Sequence, residues 1–522
     1  FYGTFNSSSD YNASDINDTP SGGGSNNLVS RTFTFIDEDN NDFRLAETDT
    51  GAIGQGVNLY VDQYINITSD IDGANRPVST STVSWDIGAD QTARKIYRSV
   101  GPSNTSALAD YAGEGVMTLT ATSATFASGL PNKVGVGDVI QYDTDNTGGV
   151  DSLAFIQSRA SSTEYAIRDK NGENITVAST SITSWEIYRA YTSLSNAEAG
   201  TENTGLDNSL EAFELYAGGR DIKTNNEQWN IVAYADAADS DGATINGWDT
   251  GAQNFIKIYT PVNSTEVGLS QRHNGLWNKG AYRIDHTTSG GWDRIVFIYE
   301  DYTVVDGLQI GITYGDSNVF AIDVNTDVKN VTISNSIVKG NSTANDLIGY
   351  GINSPREASK IFNNIVYGFR DSNSANGECI RSGYTSSNKS YTFNNTVYDC
   401  YIGYKLNGSS ASNVLKNNIS QNSVDGYNGT LDSQSDNNIS DISQTDADDV
   451  NNNFDGYKTV RFADLLNKDF HLSSIDRTAK NAGTSSVSSV VSTDIDGHTY
   501  DATGEGWDIG ADEAANAVFY SI

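Results

Sequence analysis

The chain is poor in several residue types, and each shortage excludes something. Its 522 residues contain 2 Cys, 1 Met, 4 His and 6 Pro. Two cysteines cannot staple a chain of this length, so a disulfide scaffold is excluded, and a Cys/His zinc framework is equally short of ligands. Basic residues number 32 against 67 acidic ones, a formal charge of −35. Nucleic-acid binding runs on Lys and Arg, so a groove for phosphate is excluded as well. No run of about 18 apolar residues exists, so no helix spans a membrane. The opening FYGTFNSSSD carries neither Met nor a signal peptide, which reads as a processed chain or a window on a longer one.

What is abundant points to strands and turns. There are 49 Gly, 28 Tyr, 18 Phe and 7 Trp, and apolar residues make up 37%, enough for a core. Internal repeats come first, because a missed repeat changes the whole fold. Asp42-Phe43-Arg44-Leu45, Asp70-Ile71-Asp72-Gly73 and Trp85-Asp86-Ile87-Gly88-Ala89-Asp90 recur in order as Asp469-Phe470-His471-Leu472, Asp494-Ile495-Asp496-Gly497 and Trp507-Asp508-Ile509-Gly510-Ala511-Asp512. Upstream, Asn12-Ala13-Ser14-Asp15-Ile16 answers Asn438-Ile439-Ser440-Asp441-Ile442. Residues 1–98 therefore read as the tail of a preceding module that repeats 429–522, and the chain as one window on a tandem array. A single duplication of a C-terminal cap is the plainer alternative.

From about residue 300 short apolar runs alternate with Asn, Ser and Gly. Five segments align on Asn335, Asn363, Asn394, Asn417 and Asn437, spaced 28, 31, 23 and 20 residues apart. Such steps suit the coils of a right-handed parallel β-helix, each unable to bury its apolar face alone. Coils stack at about 4.8 Å, so equivalent residues fall in register. An Asn at each bend accepts the left-handed conformation and can bond its neighbours as a ladder. A β-sandwich would repeat every 8–12 residues instead.

The expected fold class is all-β: a β-helix over 191–440, a small all-β domain over 99–190, and a C-terminal cap or extension over 441–522. Open β-helix ends are sheet edges that need covers. An amphipathic helix over 207–219 is expected to plug the N-terminal end, and 441–522 to close the other.

On these residues, 191–522 resemble bacterial, archaeal and phage right-handed β-helix repeat proteins. The Asp494–Gly497 and Trp507–Glu513 pattern resembles the end of secreted members with a "choice-of-anchor" tail. The resemblance implies an extracellular or cell-surface location. It leaves activity open, since that family mixes polysaccharide lyases, adhesins, surface-layer proteins and tail fibres.

Chemistry is thinly signalled. Lys329, Lys339, Arg356, Lys360, Arg370 and Arg381 fit no lyase pattern, and His273 and His286 read as members of hydrogen-bonded turns. Asp143, Asp145 and Asp151, with Gly148, resemble the start of a calcium loop, but Ala154 stands where a closing Glu belongs. An acidic turn is the alternative. Cys379 and Cys400 lie at different offsets from Asn363 and Asn394, which favours two unbridged thiols. The expected function is structural: an acidic module of an extracellular filament, fibre or sheath that meets copies of itself, or adheres to a cell surface. The alternatives are a polysaccharide-binding or polysaccharide-degrading protein, with Tyr367, Tyr384, Tyr398, Tyr401 and Tyr404 as stacking surfaces, and a phage tail fibre.

Overall fold

A computed structural model describes residues 9–17, 24–38, 41–46, 49–59, 67–71, 73, 75–76, 85–214, 219–288, 290–316, 318–343, 347–370, 377–383, 388–407, 412–442, 458–500 and 506–514. Three parallel sheets of eight, eight and seven strands run side by side, and successive coils visit them in turn. One coil, for example, runs through Lys360–Phe362, Ile365–Tyr367 and Glu378–Ser382 before the next begins at Ser390–Phe393. This is the right-handed parallel β-helix expected from the spacing.

The core is a set of vertical stacks. In the first sheet Ile231, Ile258, Val305, Ile333, Ile361, Thr392 and Leu415 lie in register. In the second, Ile284, Ile310, Val338, Val366 and Val397 do the same. In the third, Val296, Ile322, Ile352 and Ile380 give way to Tyr404 and Tyr427, whose rings stack at 4.9 Å. β-branched side chains pack well on such a pleated surface, and stacking removes from water what one coil alone leaves exposed.

The first strand of the β-helix lies earlier than the sequence suggests. Arg94–Val100 pairs in parallel with Glu227–Ala233 along its whole length. The domain expected at 99–190 is an eight-stranded antiparallel sheet between Ala109–Asp110 and Trp185–Tyr188. It is an insertion between the first and second strands of one sheet, so a boundary after residue 98 divides the β-helix. No local pattern reveals this, because the two partner strands stand more than a hundred residues apart. Buried ion pairs hold the insertion in place: Arg189 reaches Asp138 at 2.8 Å and Asp236 at 2.9 Å.

The N-terminal end is covered differently from expectation. Residues 208–210 and 212–213 form turns, not a helix over 207–219, of which 215–218 lie outside the described residues. The helix is Leu194–Ala199, capped by Ser193 and ended by Gly200 at φ 64°. Its Leu194 and Ala197 enter the β-helix core. Phe213 packs beside Phe155, and the adjacent Glu214 pairs with buried Arg98.

Over residues 458–500 and 506–514, the part described, the C-terminal segment does not lie across the far end. It runs along the corner between the first and second sheets. Ile337, Ile365, Ile419 and Ile439 stand in register with Thr396, one residue before the inward Val338–Val366–Val397 stack, and so face outward. That row is covered by Val460, Phe462, Phe470, Leu472, Ile495 and Ile509 of the tail. An outward apolar row on a solenoid demands a cover, which is why the segment lies there.

Cys379 and Cys400 are bridged, with Cα atoms 5.8 Å apart, so the expectation of free thiols is corrected. The offset argument failed because coil length varies between the corners. Thirteen residues separate the register positions Ile365 and Glu378, but only six separate their partners Thr396 and Ile402.

Candidate functional site

The corner beneath the tail is built from paired asparagines. Asn335, Asn363, Asn394, Asn417 and Asn437 have φ of 50°, 54°, 50°, 55° and 53°. This left-handed step turns the chain from the first sheet into the second, and Asn tolerates it better than other side-chain-bearing residues. Their amides touch in part: Asn363 donates to Asn335 and Asn417 to Asn394, each at 3.2 Å.

A second ladder, which sequence reading missed, stands one residue on. Asn364, Asn395 and Asn418 each use both backbone N–H and Nδ2 to donate to the Oδ1 of the next rung, Asn395, Asn418 and Asn438, at 2.9–3.2 Å. All four are buried. The signal was available, as the second Asn of each Asn-Asn pair. The first Asn makes the turn and meets the tail; the second carries the continuous ladder.

The outer amides hold the tail by its backbone. Asn417 accepts from Thr484 N at 2.8 Å and donates to Thr484 O at 2.9 Å. Asn363 donates to Thr493 O, and Asn437 to Ala482 O. Gly510 N donates to Asn417 O at 2.8 Å, and Tyr500 Oη to Asn363 Oδ1 at 3.3 Å.

Asp476 and the aspartates of the repeated motif organise the tail itself. Asp476 accepts from Arg461, Ala479 and Lys480 N–H, Asp508 from Asn481 and Ala514, and Asp512 from Leu472. Burial pushes the Asp508 carboxyl up to about 6. Burial raises Asp512 to about 7, although nearby His471 opposes the rise. His471 lies between Asp469 at 2.5 Å and Asp496 at 3.1 Å. Burial alone would lower its pKa, but hydrogen bonds and charge from Asp496, Asp512 and Asp469 win and push it up to about 10.

The first copy folds in the same way. The antiparallel pair Phe35–Asp37 and Asp42–Leu45 matches Phe462–Asp464 and Asp469–Leu472, with the same irregularity in its pairing. Leu45 N reaches Asp90 at 2.8 Å, as Leu472 N reaches Asp512 at 2.6 Å. Thr34 N reaches Asp49 at 2.8 Å, as Arg461 N reaches Asp476 at 2.8 Å. Gly54 N reaches Asp86 at 2.7 Å, as Asn481 N reaches Asp508 at 2.6 Å. Where the second copy has His471, the first has Arg44, bound to Asp42 Oδ1 at 2.8 Å. His471, Asp496 and Asp512 offer ligand atoms within 4.8 Å of one another. A fixed cation at the same place in the other copy accounts for the cluster as an ion-pair lock.

Asp143, Asp145 and Asp151 also come within 4.8 Å. Hard carboxylate oxygens at this spacing suit calcium. The same geometry is that of a self-bonded turn: Asp143 accepts from Asp145 and Gly148 N–H, Asp145 from Thr147, and Asp151 from Thr144. The other candidates are dispersed. His273 is buried, its pKa lowered to about 3 by desolvation and by Arg272, with Nδ1 accepting from Gly275 N–H. His286 sits on a second-sheet strand, its Nδ1 2.7 Å from Ser240 O. Arg381 pairs with Glu378, and Lys339 lies 3.6 Å over Trp277. Tyr367 and Tyr398 pack on Phe470 and Tyr404 faces the core, so none of these is a free stacking surface; Tyr384 lies outside the described residues.

No family model matches the chain, and no curated protein does. Among solved structures it aligns with the tailspike protein gp49 from Pseudomonas phage LKA1 at 12% identity, over 69% of this chain and 73% of that one, with a TM-score of 0.13. No helix among the described residues is long and apolar enough to cross a membrane.

Proposed function

We propose that the chain is a structural module of an extracellular filament, fibre or sheath assembled from tandem β-helices, with adhesion to a cell surface as a natural use. The observation that carries this reading is the duplicated tail: two segments more than 400 residues apart keep the same aspartate brackets and the same hairpin. A unit whose geometry is kept so closely within one chain suits serial connection of β-helices. The charge of −35 suits a solvated rod, since like charge keeps neighbouring rods apart. Electron microscopy of native material tests the proposal. Elongated fibres with an axial repeat support it; isolated globular particles only would refute it.

A second reading, a polysaccharide-binding β-helix of the kind found in tail fibres, is favoured by one feature. Trp292 is 61% exposed and stacks on Phe320, which stacks on Tyr350 at 4.4 Å. Arg294 and Arg381 lie over these rings. The exposed indole of Trp292 offers a flat face for a sugar ring, while Arg294 and Arg381 are themselves paired with Asp323 and Glu378. Calorimetric titration with acidic polysaccharides, with Trp292→Ala as control, tests it; no heat with any of them would remove it.

A further inference from the structure

The two copies of the tail differ in what covers them. Phe470 and Ile495 are each 1% exposed, seated on the outward isoleucine row. Their equivalents in the first copy, Phe43 and Ile71, are 56% and 70% exposed. The apolar character is kept all the same. Phe33, Phe35, Leu45 and Ile87 stand where Val460, Phe462, Leu472 and Ile509 stand in the second copy. Together these residues line an open depression of about 580 Å³. A Cβ on Gly88 would meet nothing within 4 Å, whereas one on the equivalent Gly510 would meet Ile419 Cδ1 at 2.6 Å. An apolar face that one copy buries is open in the other, bare at Phe43 and Ile71 and half-buried at Phe33, Phe35 and Ile87, with only Leu45 as buried as its equivalent Leu472.

A second observation says what belongs there. Asn12 uses both its backbone N–H and its Nδ2 to donate to Asn27 Oδ1, each at 2.9 Å. Leu28 N then donates to Asn12 O at 2.7 Å, and Ala13 pairs in parallel with Leu28. This is the bonding of the inner ladder, where Asn395 donates twice to Asn418 at 3.0 Å and Ile419 N returns to Asn395 O at 2.9 Å. Tyr11, at φ 56°, takes the left-handed place that Asn394 takes in that rung. Asn26-Asn27-Leu28 is itself an Asn-Asn-apolar triplet. Residues 9–17 and 24–31 thus hold two rungs of an asparagine corner outside the 94–440 β-helix. Among the described residues no donor reaches Asn12 Oδ1, the atom to which a preceding rung would donate.

We propose that residues 9–92 are a docking unit for the asparagine corner of a second parallel β-helix, joined upstream in the order in which 331–440 precedes the second copy. Asn12 continues that helix's inner ladder, and the Phe43–Ile71–Ile87 face covers its outward isoleucine row. The inference rests on the modular reading above and names the contact through which modules join. The occupant is not a second copy of this chain, because the corner of each copy is already covered by its own residues 458–514.

The test keeps the chain full-length and exchanges residues 458–514 for residues 31–92, placing the first copy's face over the 331–440 corner. Hydrogen exchange at the Asn363, Asn395 and Asn417 amides is the readout. Protection equal to wild type is expected, and it should vanish when Phe43→Asp and Ile71→Asp are added. Exchange as fast as in a Phe470→Asp/Ile495→Asp chain would overturn the proposal. A second measurement covers a chimera that does not fold. In the otherwise native chain, Ile71→Cys should react with a maleimide at least tenfold faster than Ile495→Cys. Equal slow rates overturn the proposal, and concentration-dependent dimers in sedimentation would then identify a second copy as the occupant. Neither readout depends on filaments, so a failure here and a failure of the filament reading are distinguishable.

Discussion

Substitution of Asn395 by Leu removes one rung of the inner ladder while nearly preserving volume. Asn395 is fully buried and accepts from Asn364 N and Nδ2, both at 3.0 Å. Its own Nδ2 donates to Ile361 O, Phe393 O and Asn418 Oδ1 at 2.9–3.0 Å. Leu leaves the backbone N–H of Asn364 inside the corner with no acceptor, while Asn364 Nδ2 keeps Ile333 O and Phe362 O, each at 3.0 Å. A buried donor stripped of its partner costs about 1–3 kcal/mol, so this N–H alone predicts a cost of about 2 kcal/mol. The neighbouring Asn394 provides the control. At φ 50° glycine adopts its backbone freely, and Asn394 Oδ1 accepts a long hydrogen bond from Asn417 at 3.2 Å. Asn394→Gly should therefore cost about 1 kcal/mol, mainly in chain entropy. Urea unfolding followed by far-ultraviolet circular dichroism measures both. Asn395→Leu lying within about 1 kcal/mol of wild type would refute the ladder as a cooperative polar spine.

Phe470→Ala should cost about 3–5 kcal/mol through an unfilled interface, whereas Phe43→Ala should stay within about 0.5 kcal/mol, and parallel denaturant melts compare the two. Replacing Cys379 and Cys400 together by Ala opens a loop of 21 residues, so a destabilisation of about 3 kcal/mol is expected in the same melts. His471 has a folded pKa raised to about 10 from an ordinary 6.5, so its stabilisation is complete below pH 6.5 and fades as pH rises through 10. Asp512, raised to about 7 from 3.8, adds a fall in the same direction between about pH 4 and 7. His471→Arg, which copies Arg44, should flatten the fall above about pH 7 in thermal melts while leaving the Asp512 step; an unchanged slope contradicts the ion-pair lock.

The parts of this fold that the sequence carries openly are those fixed by local backbone chemistry. A left-handed corner selects Asn, and a stacked coil selects a β-branched rung, so Asn363-Asn-Ile365 and its relatives announce coils through repetition alone. The identity of the tail repeat is equally legible, because its aspartate-bearing blocks recur in the same order, although the N–H groups they bracket stand up to 40 residues away in the second copy. The calcium-like loop at 143–151 shows the limit of such patterns. Its spacing is common to a metal loop and to a turn that bonds itself, and the three carboxylates both meet within 4.8 Å and accept from their own loop.

Residue order was enough for the solenoid, its corner asparagines, its acidic skin and the duplication of its tail. Four features became fixed only when distant segments met: the origin of the first strand at Arg94, the pairing of Cys379 with Cys400, the side of the rod on which the tail lies, and the difference between the two tail copies. One cause is common to all four. Each depends on which surfaces meet across long stretches of chain, and a residue's apolar character is the same whether it is covered, as Ile495 is, or bare, as Ile71 is.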